Sequence, residues 1–73
     1  MILNRHALQA FRELRGLTVT ELAKRAGVTQ SYVSNIEAGQ RVPSGKVTQD
    51  LADALGVDVL AITSQPIVTK VAA

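Results

Sequence analysis

Cysteine is absent from the 73 residues of this chain, and histidine occurs once, as His6. Without cysteine the chain can form no disulfide framework, no cysteine-ligated zinc site and no cysteine nucleophile. A lone histidine cannot form a metal cluster by itself, so we predict neither a metal nor a cofactor. A small domain without such cross-links must rely on its packing, or on a second subunit, for its stability.

Aromatic residues are almost as scarce, because Phe11 and Tyr32 are the only two. The core must therefore consist of leucine, valine, isoleucine and alanine, which suits closely packed helices. No apolar run approaches the roughly 20 residues that a membrane span needs, and charged residues interrupt any N-terminal signal peptide. We therefore expect a cytoplasmic protein without a membrane partner. The net charge of +2 is compatible with nucleic acid binding but does not establish it.

Helical periodicity, N-cap residues and glycines predict five short helices, at about residues 4–15, 19–26, 30–38, 45–55 and 59–63. Each has a residue of N-cap type at its start, in the order Asn4, Thr18, Thr29, Ser44 and Asp58. We predict an all-α domain over residues 1–63, followed by an extended C-terminal tail over residues 64–73. Residues 67–71 favour a β-strand, which could dock on the helices, pair with a copy of itself or stay disordered.

Segment 19–38 has the spacing of a helix-turn-helix. Ala23, Gly27, Val33 and Ile36 follow one another at intervals of four, six and three residues. A small residue such as Ala23 lets two steeply crossing helices approach, and Gly27 can adopt the positive φ that the turn needs. Val33 and Ile36 then hold the next helix on the core and leave its opposite face free.

With its flanking segments, this pattern resembles the helix-turn-helix family of phage Cro and repressor proteins, the XRE-like regulators, over about residues 7–63. The matching pieces are Phe11-Arg12, Gly16-Leu17-Thr18, the stretch from Glu21 to Gln30, the stretch from Tyr32 to Gly39, Pro43-Ser44, and the stretch from Leu51 to Val57. The resemblance implies a five-helix, lambda-repressor-like DNA-binding domain.

The sequence departs from the family pattern in two places. Val19 stands where the family often has a glutamine that touches phosphate and braces the first residue of the third helix. Either Gln30 is therefore less constrained, or Thr20 takes over part of that role. Gly45 and Thr48 replace residues that are usually apolar. The fourth helix is therefore expected to begin late or to fray.

The resemblance also implies which residues contact DNA, with the third helix in the major groove. Its amides and hydroxyls then read base edges, through Gln30, Ser31, Ser34 and Asn35. A second set is expected to contact the DNA backbone, with a thymine methyl as the alternative for the tyrosine: Thr18, Thr20, Thr29, Tyr32, Arg41, Lys46, Arg15 and Lys24. No acidic residue occurs from position 22 to position 36, which favours this function over an ordinary solvated face. By the same resemblance, Arg12 and Glu37 form a partly buried structural ion pair.

The first functional hypothesis is a transcriptional repressor of phage or prophage type that binds operator half-sites on double-stranded DNA as a homodimer. Its candidate dimer interface combines the fifth helix with the tail, through Leu60, Ile67, Val68 and Val71. The alternative is a protein-interaction or antitoxin-type module, because a fold alone does not decide function. An enzyme is discounted, since the sequence has no paired carboxylates at a plausible site, no nucleophile with a base and no glycine-rich phosphate loop. No small-molecule ligand is evident.

Overall fold

The computed structural model describes residues 2–63, which form four α-helices followed by a short 3-10 helix. The helices are α1 (Arg5–Leu14), α2 (Val19–Ala26), α3 (Gln30–Glu37) and α4 (Gly45–Leu55), and the 3-10 turn spans Val59–Ile62. The all-α prediction is therefore confirmed for this part of the chain, and the helix boundaries agree to within one residue. The predicted tail, including Ile67, Val68 and Val71, lies outside the described residues.

The predicted fifth helix is not an α-helix, and this corrects the five-helix expectation. The segment Val59–Ile62 has only four residues, and the N–H of Ala61 donates to the carbonyl of Asp58 at 2.8 Å, the tighter 3-10 pattern. Thr63 is already extended and forms an isolated antiparallel bridge with Leu3. The helix cannot lengthen because its next residue pairs with the start of the chain.

All five helical segments begin at the predicted N-cap residues. The side chain of Asn4 accepts from the N–H groups of His6 and Ala7, and each of the other caps accepts one N–H of its own first turn. These bonds satisfy donors that a helix start otherwise leaves free. Local chemistry alone therefore determines where the helices begin.

The expectation that α4 begins late or frays is wrong. The helix starts at Gly45, directly after the Ser44 cap. The Oγ1 of Thr48 is buried and donates to the carbonyl of Ser44 at 2.8 Å, so the hydroxyl is satisfied where an apolar residue was expected.

The core is aliphatic, as predicted. Helix α2 packs against α3 and α4, while α1 packs against α3 and the 3-10 turn. Phe11 and Tyr32 are only partly buried and lie at the margin of the core. The ten buried core side chains are Leu8, Leu17, Leu22, Ala23, Val33, Ile36, Leu51, Ala52, Leu55 and Ile62.

None of the helices in the described range has both the length and the apolar character that crossing a membrane requires.

Candidate nucleic-acid interface

A tight turn at Gly27 sets the angle between α2 and α3. Gly27 has a left-handed backbone with φ of +76°, a conformation that strains residues with a Cβ. The N–H of Val28 donates to the carbonyl of Ala23 at 3.0 Å and closes the C-terminal turn of α2. Ala23 is buried where the two helices meet. The result is that α3 lies across α2 with one long side turned to solvent.

Helix α3 has two sharply different sides. Val33 and Ile36 are fully buried in the core. The four side chains expected to read DNA lie within about 140° of the helix circumference, at about 100° per residue, on the side away from these two. They form what we call the reading face: Gln30, Ser31 and Ser34, which are exposed, and Asn35, which is half-buried.

The polar side chains of the reading face are free to bind a ligand. Its side chains make no hydrogen bond to any other residue within 2–63. No charged side chain lies on it either, so its donors and acceptors are not committed to a neighbouring ion. A surface of this kind can exchange water for the edge of a base.

A shallow depression runs along one flank of α3, and it brings together three of the expected backbone contacts: Thr29, Tyr32 and Arg41. Val28, Ser31 and Asn35 complete its lining. The guanidinium carbon of Arg41 lies 5.0 Å from the centroid of the Tyr32 ring. Within residues 2–63 no carboxylate lines the depression, so Arg41 is the charged side chain that these residues contribute to it.

The N-terminus of α2 is closed by a capping box, in which Thr18 and Glu21 each bond the backbone N–H of the other. The Oγ1 of Thr18 accepts from the N–H of Glu21 at 3.1 Å, and the N–H of Thr18 donates to the carboxylate of Glu21 at 2.8 Å. Hydrogen bonding of the carboxylate by the backbone N–H of Thr18, and next by the Thr18 side chain, holds the pKa of Glu21 below its usual range, with smaller contributions from Arg25 and Lys24. A phosphate at this end must therefore bind the first-turn N–H groups of Val19 and Thr20.

The remaining basic residues of the expected DNA contacts are dispersed. Lys46 donates to Asp50 at 2.9 Å, but it is 84% exposed, so this pair is weak and can exchange for another anion. Arg15 lies with Arg25 and Asp53 in a separate depression near the C-terminus of α4, and Lys24 is exposed on α2. The structure thus groups Arg41 with α3 and does not bring Arg15 there.

Val19 explains why the expected brace on Gln30 is missing. It is the first residue of α2, and its side chain is partly buried against the core. Thr20, beside it, is exposed and is free to contact a ligand. At the position where the family often has a glutamine that contacts phosphate, this chain therefore has a valine that contributes to packing.

The ion pair that joins α1 to α3 is present. The Nε of Arg12 donates to Glu37 Oε2 at 2.7 Å and its Nη2 donates to Oε1 at 3.1 Å, while its Nη1 donates to the carbonyl of Leu17 at 2.9 Å. The two side chains are only 12% and 10% exposed. The hydrogen bond to Glu37 raises the pKa of Arg12 above its usual value. This pair anchors the last turn of α3 and thereby the tilt of the reading face.

Sequence reasoning missed a second anchor at the same place. The Nη1 of Arg5 donates to the carbonyl of Glu37 at 3.0 Å. Its guanidinium lies over Gly39, where a Cβ would come within 3.1 Å of the Arg5 Nε. No local pattern links the first residue of α1 to the end of α3, so only the tertiary structure reveals this contact.

Comparison with known proteins gives a consistent result. The family model described as Helix-turn-helix matches residues 8–62. The transcriptional regulator YazB of Bacillus subtilis is 42% identical over 50 residues, which cover 68% of this chain and 72% of YazB. The immunity repressor protein of Bacillus phage phi105 is 35% identical over 63 residues, covering 86% of this chain and 44% of that protein.

The fold also has a close counterpart among solved structures. The restriction-modification controller protein C.AhdI from Aeromonas hydrophila superposes with a TM-score of 0.77 at 33% sequence identity, covering 78% of this chain and 86% of that one. The likeness therefore extends over most of both molecules.

Proposed function

This chain belongs to the helix-turn-helix family of XRE-type, DNA-binding transcriptional regulators, and we propose that it represses transcription by placing α3 in the major groove of an operator. The function is one of binding, with no catalytic step. The DNA-binding domain comprises residues 1–63.

The reading face carries this proposal. The amides of Gln30 and Asn35 can each bond N6 and N7 of an adenine, and the hydroxyls of Ser31 and Ser34 can donate to or accept from several bases. Because these side chains are not committed to other residues within 2–63, contact with bases does not require breaking internal bonds.

Backbone contacts would lie on both sides of the reading face. Thr29 and Arg41 flank it on one side, in the depression that Tyr32 also lines, and the N–H groups of Val19 and Thr20, next to the Thr18 cap at the start of α2, are available on another. Lys46 joins them once it releases Asp50, and Lys24 and Arg15 are assigned as outer contacts. These groups supply affinity and register without reading sequence.

A monomer with one reading helix contacts few base pairs, so we infer that the chain binds as a homodimer. Two-fold dimers of this motif read half-sites about 34 Å apart. Leu60 in the 3-10 turn is 55% exposed, and a large apolar side chain there suits a subunit contact. Ile67, Val68 and Val71 of the tail are the further candidates.

Selection of binding sites from a random duplex DNA pool tests the function directly. We expect a symmetric site, and we expect Gln30→Ala to change the selected bases in both half-sites. Gln9→Ala is the matched control, because Gln9 is also an exposed helical glutamine but lies on α1. Recovery of no preferred sequence, together with affinity that does not change with salt, would favour the protein-interaction module instead.

A further inference from the structure

Tyr32 and Arg41 are in direct contact although they belong to different elements. Tyr32 lies on α3, and Arg41 lies in the irregular segment between α3 and α4. The guanidinium carbon is 5.0 Å from the ring centroid, within the range of about 6 Å over which a cation is attracted to an aromatic face.

The two partners differ in how firmly they are held. Tyr32 is half-buried and packs against the core, and its backbone N–H donates to the Oγ1 of the Thr29 cap at 3.1 Å. Arg41 is exposed and forms no hydrogen bond or ion pair with another residue of the described part. The ring is therefore a fixed platform, and stacking restricts a side chain that would otherwise sample many rotamers.

We propose that Tyr32 is a positioning residue, which holds the Arg41 guanidinium in place for a phosphate of the DNA backbone beside the reading face. This inference rests on the proposed function. The contact with the ring uses none of the guanidinium N–H groups as hydrogen-bond donors to another residue within 2–63, so these donors stay available. Those donors match the oxygens of a phosphate in a two-pronged contact.

The surroundings of Arg41 favour a phosphate as its target. Thr29 and Ser31 line the same depression, and none of the described residues that line it carries a carboxylate that could compete for the guanidinium. Lys46 offers the contrast, since its ammonium is already paired with Asp50. Arg41 is the basic side chain next to α3 that is held in place and still has its donors available.

If Tyr32 positions Arg41 before DNA binds, the affinity for DNA should be higher, because Arg41 then loses less rotamer freedom on binding. The test uses the full chain and a duplex oligonucleotide of arbitrary sequence, since a phosphate contact does not depend on sequence. We expect Tyr32→Leu to weaken binding about two- to fivefold when Arg41 is present and to have no effect in the Arg41→Ala background. Equal losses in the two backgrounds would overturn the inference.

Two further variants separate the ring from other roles of the tyrosine, and they apply even if Tyr32→Leu fails to fold. Tyr32→Phe keeps the aromatic face and should bind as the original chain does, whereas a loss as large as that of Arg41→Ala would assign the role to the hydroxyl and overturn the inference. Arg41→Lys keeps the charge but loses the planar guanidinium. It should therefore bind DNA more weakly than Tyr32→Phe does.

The salt dependence of binding identifies the target of Arg41. Arg41→Ala should reduce the slope of log K against log salt by about one, and an unchanged slope would exclude the phosphate. Failure of the original chain to bind any DNA would overturn the proposed function and this inference with it. Binding with additive effects of the two substitutions would overturn this inference alone.

Discussion

Arg12 and Glu37 form a bidentate ion pair between α1 and the last residue of α3, and both side chains are largely buried. A buried pair of this kind adds little net stability, because removing both charges from water is costly. Its importance lies in geometry, since it fixes the end of the helix that carries the reading face. Removing one partner would leave the other charge buried without compensation.

Glu37→Ala should therefore lower the free energy of unfolding by about 3 kcal/mol or more. Urea denaturation followed by circular dichroism measures the change. The double variant Arg12→Met with Glu37→Leu is the control, because it removes both charges and keeps apolar volume, and it should recover most of the loss. A single variant that unfolds at the original midpoint would contradict the role assigned to the pair.

Gly39 tests the second anchor of α3. Gly39→Ala forces an alanine to φ of +81° and places its Cβ 3.1 Å from the Arg5 Nε, so the guanidinium must shift and its bond to the Glu37 carbonyl is weakened. Gly16→Ala is the matched control, because Gly16 has φ of +68° and open space around its Cβ position. We expect about 1–2 kcal/mol of destabilisation at Gly16 and about 1 kcal/mol more at Gly39.

The extra loss at Gly39 should disappear when Arg5 is first replaced by alanine, because nothing then opposes the new Cβ. Thermal or urea unfolding of the four combinations of Arg5→Ala and Gly39→Ala measures this coupling. If Gly39→Ala costs the same with and without Arg5, the guanidinium is not the obstacle.

These anchors also show where sequence reasoning ends. Caps and glycine stops act within one or two helical turns, so the starts of all four α-helices could be predicted from neighbouring residues. The contacts of Arg5 with Glu37 and of Arg41 with Tyr32 join separate elements, and no spacing in the sequence signals either one. The short 3-10 turn has the same origin, because Thr63 pairs with Leu3 at the other end of the chain.

The candidate site likewise has one part that follows from local sequence and another that depends on tertiary packing. The polar, acid-free side of α3 is a local pattern, and its exposure follows from Val33 and Ile36 facing the core. The grouping of Arg41 with this side, and the placement of Arg15 elsewhere, depend on how the loop after α3 and the end of α1 pack. Composition alone treats these two arginines as equivalent.

The capping box of α2 predicts a stability that depends on pH. The pKa of Glu21 is lowered in the folded chain because its carboxylate accepts from Thr18, so the folded state favours the ionised form. The stabilisation is complete above the pKa of an unfolded glutamate and is lost as the pH falls through the lower folded value.

Melting temperatures measured from neutral to acidic pH should therefore fall more steeply for the original chain than for Glu21→Gln, whose amide does not titrate. The two proteins differ at this one side chain, so the difference between the two curves isolates Glu21. Parallel curves over the whole acidic range would show that the carboxylate contributes nothing to the cap.

Leu60 provides the sharpest test of dimer formation. If Leu60 is buried against a second copy, Leu60→Glu would place an unpaired carboxylate in an apolar contact, which is costly. Sedimentation should then show the original chain as a dimer at micromolar concentration or on DNA, and the variant as a monomer.

Leu14→Glu is the matched control, because Leu14 is an even more exposed leucine, at 79%, on α1. Circular dichroism should show both variants folded, since neither side chain belongs to the core. A chain that stays monomeric with and without its selected duplex would rule out the homodimer, and one that stays dimeric as Leu60→Glu would place the interface elsewhere.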